Sequence, residues 1–202
     1  MFTGIIKDVG TVSDIKKKQE TFELSVTLHQ LSSADMSLGD SIAINGTCLT
    51  VIEKLANGFK VEAMPETFRR TNLGNLEIND HVDIEPALGG SDKLDGHFVL
   101  GHIDTTMELV DKQTDQNSSV LTFKVPDEYR KYIVEKGSVA IDGVSLTVSS
   151  VSDDTFQVSL IPFTLEHTVL GELKINQTAN LEVDILGKYI LDSKVGGYDY
   201  AK

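Results

Sequence analysis

The chain has 202 residues, of which 40% are hydrophobic and 24% are charged, as is ordinary for a globular protein. Acidic residues outnumber basic ones by 31 to 18, so the formal net charge is −13. A nucleic-acid-binding protein normally presents a basic surface to the phosphates, and this charge balance argues against such a partner. No apolar run approaches the roughly 18 residues that cross a bilayer, so the sequence predicts no membrane span.

The cysteine content and the first residues bear on the cellular compartment. Cys48 is the only cysteine, so it cannot form an internal disulfide. The opening MFTGIIKDVG lacks the basic and apolar segments of a secretory signal. Together these features predict a cytoplasmic protein. The absence of CxxC and HExxH patterns predicts that the protein has no metal site.

An internal repeat dominates the sequence. Residues 41–85 and 138–182 align without a gap at an offset of 97 residues, and 18 of these 45 positions are identical. The same offset places Gly4 on Gly101. A repeat of this strength indicates duplication of one structural unit.

The repeat sets the predicted domain boundaries. We predict an N-terminal unit at 1–95 and a C-terminal unit at 96–186, joined by the flexible, polar segment 89–92. The remaining residues, 187–202, form a tail with a helix of only two or three turns, because adjacent glycines disfavour helix.

Short strands fill each unit. Runs such as Phe22–Leu28 and Phe59–Ala63 are alternating or β-branched and are bounded by turn residues. Asn45-Gly46 and Asp142-Gly143 are typical of two-residue hairpins. About six strands in each unit of roughly 90 residues predict an all-β fold. The predicted fold is two tandem six-stranded Greek-key barrels related by internal duplication, with a short C-terminal helix.

Helical segments are few and brief. Pro65 and Pro162 each begin a segment that reads as a short helix, ending at Gly74 and Gly171. A further helix is predicted from Asp127 to Glu135.

The first hairpin separates two faces. With Asn45-Gly46 as the turn, Ser41 pairs with Thr50 and Ala43 with Cys48, and the intervening aliphatic residues form the core face. The second hairpin repeats this arrangement. The remaining face is small, polar and uncharged. It reads either as the exposed side of a one-sided sheet or as a platform for a flat heterocycle.

Six motifs in order resemble the riboflavin synthase family. They are MFTGII, GDSIAINGTCLTV, MPETFRRTNLG, DGHFVLGHID, VEKGSVAIDGVSLTV and SLIPFTLEHTVLG. The resemblance covers residues 1–190 and implies a homotrimeric transferase. The implied reaction converts two molecules of 6,7-dimethyl-8-ribityllumazine into riboflavin and 5-amino-6-(D-ribitylamino)uracil, with no metal and no cofactor. The resemblance also leaves open an association of the protein with lumazine synthase.

The resemblance assigns catalysis to Cys48, Ser41 and His102. Under the repeat, Cys48 aligns with Ser145 and His102 with Ile5, and such asymmetry suits a reaction in which one substrate donates and the other accepts. Deprotonating the lumazine C7 methyl needs a base, and histidine exchanges protons near neutral pH. A thiol or hydroxyl would activate or position a nucleophile at C7 of the acceptor. The structural alternative for a lone cysteine is a small buried hydrophobe.

Substrate contacts follow from the same motifs and fall into both units. Asp184 is a further candidate, for the ribityl hydroxyls. The implied contacts are Gly4, Ile5, Ile6, Cys48, Leu49, Thr50, Glu62, Ala63, Met64, Pro65, Glu66, Thr67, Gly101, His102, Ile103, Lys136, Ser145, Leu146, Thr147, Ser159, Leu160, Ile161, Pro162, Phe163 and Thr164.

His97 and His102 are predicted to point to opposite faces of one strand, which argues against a metal between them. The other three histidines, His29, His81 and His167, are predicted at the surface. Two further functions compete with synthesis. Lumazine-binding antenna proteins share the expected fold but depart from GTCLTV and GHFVLGHID, and flavin reductase modules would bring an RxYS-type motif that this chain lacks.

Overall fold

The computed structural model of the protein describes residues 1–18 and 21–195. The first barrel is a closed antiparallel sheet in the order β1-β2-β5-β4-β3-β6, and β6 returns to pair with β1. Its strands are β1 (Asp8–Lys17), β2 (Phe22–Thr27), β3 (Ser41–Ile44), β4 (Thr47–Leu55), β5 (Gly58–Ala63) and β6 (His81–Pro86).

The second barrel has the same topology, because its strand order is β7-β8-β11-β10-β9-β12 with β12 paired to β7. The predicted fold of two six-stranded barrels is therefore confirmed. The strands are β7 (Thr105–Asp115), β8 (Ser118–Lys124), β9 (Ser138–Ile141), β10 (Val144–Val151), β11 (Thr155–Leu160) and β12 (Thr178–Val183).

Bulges lie at equivalent places in the two barrels. The pairing register shifts between Val51 and Glu53 in β4, and between Val148 and Ser150 in β10. The long strands β1 and β7 carry a second equivalent pair of shifts. A bulge bends and twists its strand, so these shared positions help each sheet to close.

Four short helices complete the described residues: α1 (Pro65–Arg70), α2 (Asp127–Arg130), α3 (Pro162–His167) and α4 (Ile185–Val195). No described helix is long and apolar enough to pass through a bilayer. The predicted tail begins two residues inside α4, and its residues 196–202 lie outside the described part of the chain.

Three helix predictions were too long. The segment after Arg130 closes into tight turns, with Tyr132 N bonded to Tyr129 O and Ile133 N to Arg130 O, both at 3.0 Å. These i→i−3 bonds replace the predicted helix up to Glu135. Likewise α1 stops at Arg70 because Thr71 is extended. Gly74 lies in the 3₁₀ turn that follows, and α3 is followed by a similar turn.

The hairpin registers are as predicted. Ser41 pairs with Thr50 and Ala43 with Cys48. In the second hairpin Ser145 pairs with Ala140. The alternate side chains are buried in two separate barrel cores, so the aliphatic face of each hairpin is a core face.

The two hairpin turns meet where the barrels pack together. Asn45 and Asp142 have φ of 44° and 47°, and both following glycines also have positive φ, as a type I′ turn requires. A Cβ on Gly46 would lie 2.5 Å from the backbone nitrogen of Gly143. The turns therefore pack backbone to backbone, and the equivalence of their positions defines a pseudo-twofold axis between the barrels.

Buried polar side chains connect the barrels beside these turns. Asp83 on β6 accepts a hydrogen bond from the backbone nitrogen of Val169 at 2.9 Å. Its equivalent, Asn180 on β12, accepts one from the backbone nitrogen of Asn72 at 2.7 Å. Each bond joins one barrel to the other, so the two units form a single packed body.

The carboxylate of Asp142 is fully enclosed in this network. Its Oδ1 accepts bonds from Asn180 N and Asn72 Nδ2, both at 2.8 Å. Burial raises the pKa of Asp142 to about 7, and the two hydrogen bonds oppose that rise. Burial also raises the pKa of Asp83 well above the usual range of an aspartate.

The pKa of Asp142 is higher in the folded state than in the unfolded state. The free energy of unfolding therefore falls as pH rises from about 4 to about 7. Asp142→Asn keeps an accepting oxygen but cannot ionise. We expect its free energy of unfolding, measured relative to wild type, to rise by about 2–4 kcal/mol between pH 5 and pH 8. Urea unfolding at both pH values measures this. Asp153→Asn, on an exposed turn, is the control. A stability difference that is the same at both pH values would contradict the prediction.

Candidate active site

The segments that open the two units are exchanged between the barrels. The carbonyl of Gly101, which opens the second unit, accepts a hydrogen bond from Cys48 N at 2.9 Å. The carbonyl of Gly4, which opens the first unit, accepts one from Ser145 N at 2.8 Å. Each candidate cluster is therefore assembled from both halves of the chain.

Glycine is required at both crossing points. Gly4 and Gly101 have the same φ of +79°. A Cβ on Gly4 would lie 2.5 Å from the Cβ of Ser145, and one on Gly101 would lie 2.5 Å from the Cβ of Cys48. Any larger residue would push the opening segment away from the hairpin.

A small apolar cluster holds the exchanged segments together. Phe2 and Val99 form a reciprocal backbone bridge, and both are fully buried with Ala43 and Ala140. Cys48 packs against this cluster and is half-buried. The small face of each hairpin is thus neither a free surface nor a free platform, because its end nearest the turn is covered by the opening segments.

Two buried glutamates hold the opening segments in place. Glu85 accepts hydrogen bonds from Thr3 N at 2.7 Å and Gly4 N at 3.0 Å. Its equivalent, Glu182, accepts them from Leu100 N at 2.7 Å and Gly101 N at 2.8 Å. Burial raises the pKa of both carboxyls, and the hydrogen bonds to the charged form oppose this.

The first cluster lies beside Gly101. Cross-strand pairing places Ser41, Thr50 and Glu62 in one row over β3, β4 and β5. Cys48 is on the same face as Ser41 and Thr50, nearer the turn, and exposed His102 follows Gly101 directly. The structure therefore brings the three predicted catalytic residues to one side of the first barrel.

The second cluster lies beside Gly4 and contains a contact that the first cluster lacks. Ser138 and Thr147 pair as Ser41 and Thr50 do. Ser145 Oγ lies 2.7 Å from Nδ1 of His97, a half-buried histidine. Burial lowers the pKa of His97, and the charge of Asp184 opposes that shift.

Two cavities open at equivalent places beside these clusters. One of about 280 Å³ is lined by Ser41, Met36 and Val51 among others. The other, of about 260 Å³, is lined by Ser138 and Asp184. A larger cavity of about 590 Å³ lies on the pseudo-twofold axis, and none of the predicted substrate contacts lines it. Among residues 1–18 and 21–195, no group of three or more His, Cys, Asp or Glu side chains could hold a metal ion.

Comparison with known proteins identifies the family. The model of the lumazine binding domain matches residues 3–87 and 100–184, which are separated by the same offset of 97. The riboflavin synthase of Actinobacillus pleuropneumoniae is 44% identical over 94% of this chain and 88% of its own length. The riboflavin synthase of Bacillus subtilis (strain 168) is 40% identical over 94% and 88%. The chain belongs to the riboflavin synthase family. It is accordingly an enzyme of the transferase class.

Solved structures share the fold of this family member. A crystal structure of LumP complexed with riboflavin has a TM-score of 0.84 and covers 91% of this chain and 99% of its own. LumP complexed with 6,7-dimethyl-8-(1'-D-ribityl) lumazine has a TM-score of 0.82 over the same shares. Both are 21% identical to the chain, so they establish the fold alone.

The predicted substrate contacts divide into two equivalent sets around Cys48 and Ser145. The side chains of Leu49, Ala63 and Leu160 lie in the barrel cores, so they could offer only backbone groups to a ligand. Lys136 is exposed and adopts φ of +65°, where its equivalent is Gly39. A non-glycine residue in that conformation is uncommon outside turns and functional sites.

One histidine prediction was wrong. His97 and His102 do not share a strand, because only Val99 between them forms a bridge and Gly101 turns the chain with positive φ. His97 faces inward to Ser145, whereas His102 is exposed. The other three histidines are at the surface, as predicted.

Three residues that position the clusters were missed from the sequence: His97, Glu85 and Glu182. The two glutamates are identical across the repeat, and each is the last residue but one of its strand. A buried acid that recurs at equivalent positions is a signal that could have found them. No pattern of spacing pointed to the contact between His97 and Ser145.

The two glutamates allow a matched comparison. Glutamine can accept on only one atom, so Glu182→Gln sets an NH₂ group against a backbone N–H and should cost about 1–3 kcal/mol of stability. Because Glu182 holds the segment that bears His102, we expect riboflavin formation to fall about tenfold or more. Glu85→Gln makes the same chemical change on the other segment and should affect turnover less. Equal losses of turnover in the two variants would contradict a specific role of Glu182 in placing His102.

Proposed function

We propose that this chain catalyses the dismutation of two molecules of 6,7-dimethyl-8-ribityllumazine. One molecule gives a four-carbon unit to the other, so the products are riboflavin and 5-amino-6-(D-ribitylamino)uracil. The reaction, the last step of riboflavin biosynthesis, rearranges atoms of its two substrates without net oxidation or reduction. It therefore needs no external cofactor. The observation that carries this proposal is the pair of equivalent clusters. Each cluster lies on a barrel that matches the lumazine binding domain, and each is completed by the opening segment of the other half of the chain.

Two similar sites suit a reaction between two identical substrates. Holding both lumazines in a fixed relation removes the entropy of a bimolecular encounter, worth about 7–11 kcal/mol in well-oriented systems. The two sites must also differ, because one lumazine loses a proton and the four-carbon unit while the other is attacked. The exchange of Cys48 for Ser145, and of His102 for Ile5, supplies such a difference.

We assign proton transfer at the C7 methyl group to His102, whose exposed imidazole can reach a ligand placed over the first hairpin. Cys48 and Ser41 lie on the same small face and would activate or position the nucleophile at C7 of the acceptor. Thr50 and Glu62 continue the row from Ser41 and would contact the substrate beside them.

The clusters are open on the described chain. Met64 and Ile161, which precede α1 and α3 at equivalent positions, are 64% and 60% exposed. Phe163 and two apolar residues of α4, Leu186 and Tyr189, are also exposed. Large apolar side chains that frame a site are typical of a surface covered by another subunit. We propose that the enzyme is a homotrimer in which the first barrel of one subunit faces the second barrel of its neighbour.

The cytoplasm is the proposed location, on the basis of the single cysteine. Association with lumazine synthase stays a prediction, which co-sedimentation of the two purified proteins would test.

The proposed reaction fixes its stoichiometry. We expect two lumazines to be consumed for each riboflavin formed, with no added cofactor and no effect of a chelator. Absorbance of riboflavin and chromatography of the pyrimidine product measure both sides of the reaction. A strict need for a divalent cation, or tight binding of lumazine without turnover as in an antenna protein, would overturn the proposal.

Oligomer formation and activity should be lost together. Tyr189→Asp places a charge on the exposed apolar side of α4 and should lower both the sedimentation coefficient and the turnover per chain. Lys174→Asp, at an exposed position outside α4, is the control for added negative charge. A fully active monomer at nanomolar concentration would contradict the shared site.

The thiol of Cys48 can be tested by making the halves alike. Cys48→Ser copies the residue of the second hairpin, so the fold should lose roughly 1 kcal/mol or less. If the thiol supplies chemistry, turnover should fall about tenfold or more while fluorescence titration shows that lumazine still binds. Ser145→Cys should affect turnover far less. Small and equal effects in both variants would make Cys48 a packing residue only.

A further inference from the structure

The second cluster contains a histidine–serine pair that no motif assigned. His97 Nδ1 and Ser145 Oγ are 2.7 Å apart, which is a normal hydrogen-bond length for these groups. Ser145 occupies the position that Cys48 has in the first barrel. The pair therefore lies where the two candidate sites differ most in chemistry.

Both partners are fixed by the backbone around them. His97 N donates to the carbonyl of Thr3 at 3.2 Å, and Ser145 N donates to the carbonyl of Gly4 at 2.8 Å. Gly96 allows this approach, because a Cβ there would lie 2.0 Å from the Thr3 carbonyl oxygen. Since Thr3 and Gly4 are themselves held by Glu85, the imidazole and the hydroxyl are set at a defined distance.

The contact belongs to one barrel only. Among the described residues no hydrogen bond reaches the sulfur of Cys48, which packs against Phe2 and Ala43. The first site thus presents a thiol in an apolar corner, and the second presents a hydroxyl with a basic partner.

The protonation state of His97 decides the direction of the hydrogen bond. Burial lowers the pKa of His97 despite the opposing charge of Asp184, so the imidazole is neutral at neutral pH. A neutral ring has one nitrogen that accepts, whereas the charged ring only donates. When Nδ1 accepts, the serine hydrogen points at the histidine and the oxygen lone pairs point elsewhere.

We propose that His97 is a positioning residue of the second lumazine site. Its Nδ1 accepts the hydroxyl hydrogen of Ser145 and so turns an Oγ lone pair toward the ligand. An oxygen held in this way accepts a hydrogen bond from a ring N–H of the lumazine, whereas a freely rotating hydroxyl would offer a donor equally often. The inference rests on the proposed function, because Ser145 is a ligand contact only if the second barrel binds lumazine.

The test uses the full-length protein with four variants: His97→Leu, His97→Asn, Ser145→Ala and the double variant His97→Leu/Ser145→Ala. Lumazine fluorescence gives the affinities of the two sites, and riboflavin formation gives kcat and KM. We expect His97→Leu to weaken one of the two sites about tenfold, the effect of one lost hydrogen bond, and to raise KM more than it lowers kcat. The affinity of the other site should not change.

Two comparisons separate positioning from a structural role. Asparagine can place an accepting oxygen near the position of Nδ1, so His97→Asn should recover most of the lost affinity. In the Ser145→Ala background His97→Leu should add less than a twofold effect, since its partner is already absent. Thermal unfolding of each variant shows whether the fold itself is altered.

Several outcomes would overturn the inference. They are wild-type affinities in His97→Leu or in Ser145→Ala, independent multiplying losses in the double variant, and an Asn variant as weak as the Leu variant. If the wild-type protein bound two lumazines but formed no riboflavin, the proposed function would fail while the affinity measurements still decided the role of His97.

Discussion

The crossing of the opening segments is the constraint on which the rest of the structure depends. Two backbone hydrogen bonds, from Cys48 N to Gly101 O and from Ser145 N to Gly4 O, place each opening segment on the other barrel. They require glycine at the crossing points and an acceptor carboxylate beneath each segment. His102 reaches the first barrel only because of this crossing. His97 is held beside Ser145 by its hydrogen bond to the carbonyl of Thr3, which belongs to the opening segment of the first unit. The chemistry of each half is therefore supplied in part by the other half.

The crossing of the opening segments requires acidic side chains to be buried between the barrels. Glu85 and Glu182 are almost fully enclosed, and each accepts hydrogen bonds from two backbone N–H groups of an opening segment. Asp83 is fully buried, and its Oδ2 has no hydrogen-bond partner among the described residues. Burial favours the neutral form of each of these acids, so the interface between the barrels is held more tightly at low pH than at high pH.

Much of the fold followed from local pattern. The dipeptides at Asn45 and Asp142 fixed the turn type, the turn fixed the register of each hairpin, and the register fixed which face was core. The repeat then carried one barrel onto the other. Helix lengths were less accurate, since Asp127–Arg130 is followed by tight turns that hydrophobic spacing does not distinguish from a longer helix.

The candidate site was predictable only where its residues lie within motifs. Contacts between residues far apart in the chain, such as His97 with Ser145, follow no spacing rule. The assumption that residues 97–102 form one strand failed for a related reason. The bend at Gly101 is imposed by its contact with Cys48, which belongs to the other unit. Local sequence patterns therefore predict the structure of each barrel well, but they predict poorly the contacts that one barrel makes with the other.

The polar residues on the pseudo-twofold axis show what covalent fusion of the two barrels permits. In a pair of identical chains, a residue beside a true twofold axis must face its own copy. Here the turn carries Asn45 in one half and Asp142 in the other, whereas the last strand carries Asp83 and Asn180 in the reverse order. Aspartate at all four positions would gather four carboxylates in one enclosed space, and asparagine at all four would leave surplus N–H groups without acceptors. A single chain can place different side chains at equivalent positions, and the same freedom from exact symmetry would allow the two proposed lumazine sites to take different parts in one reaction.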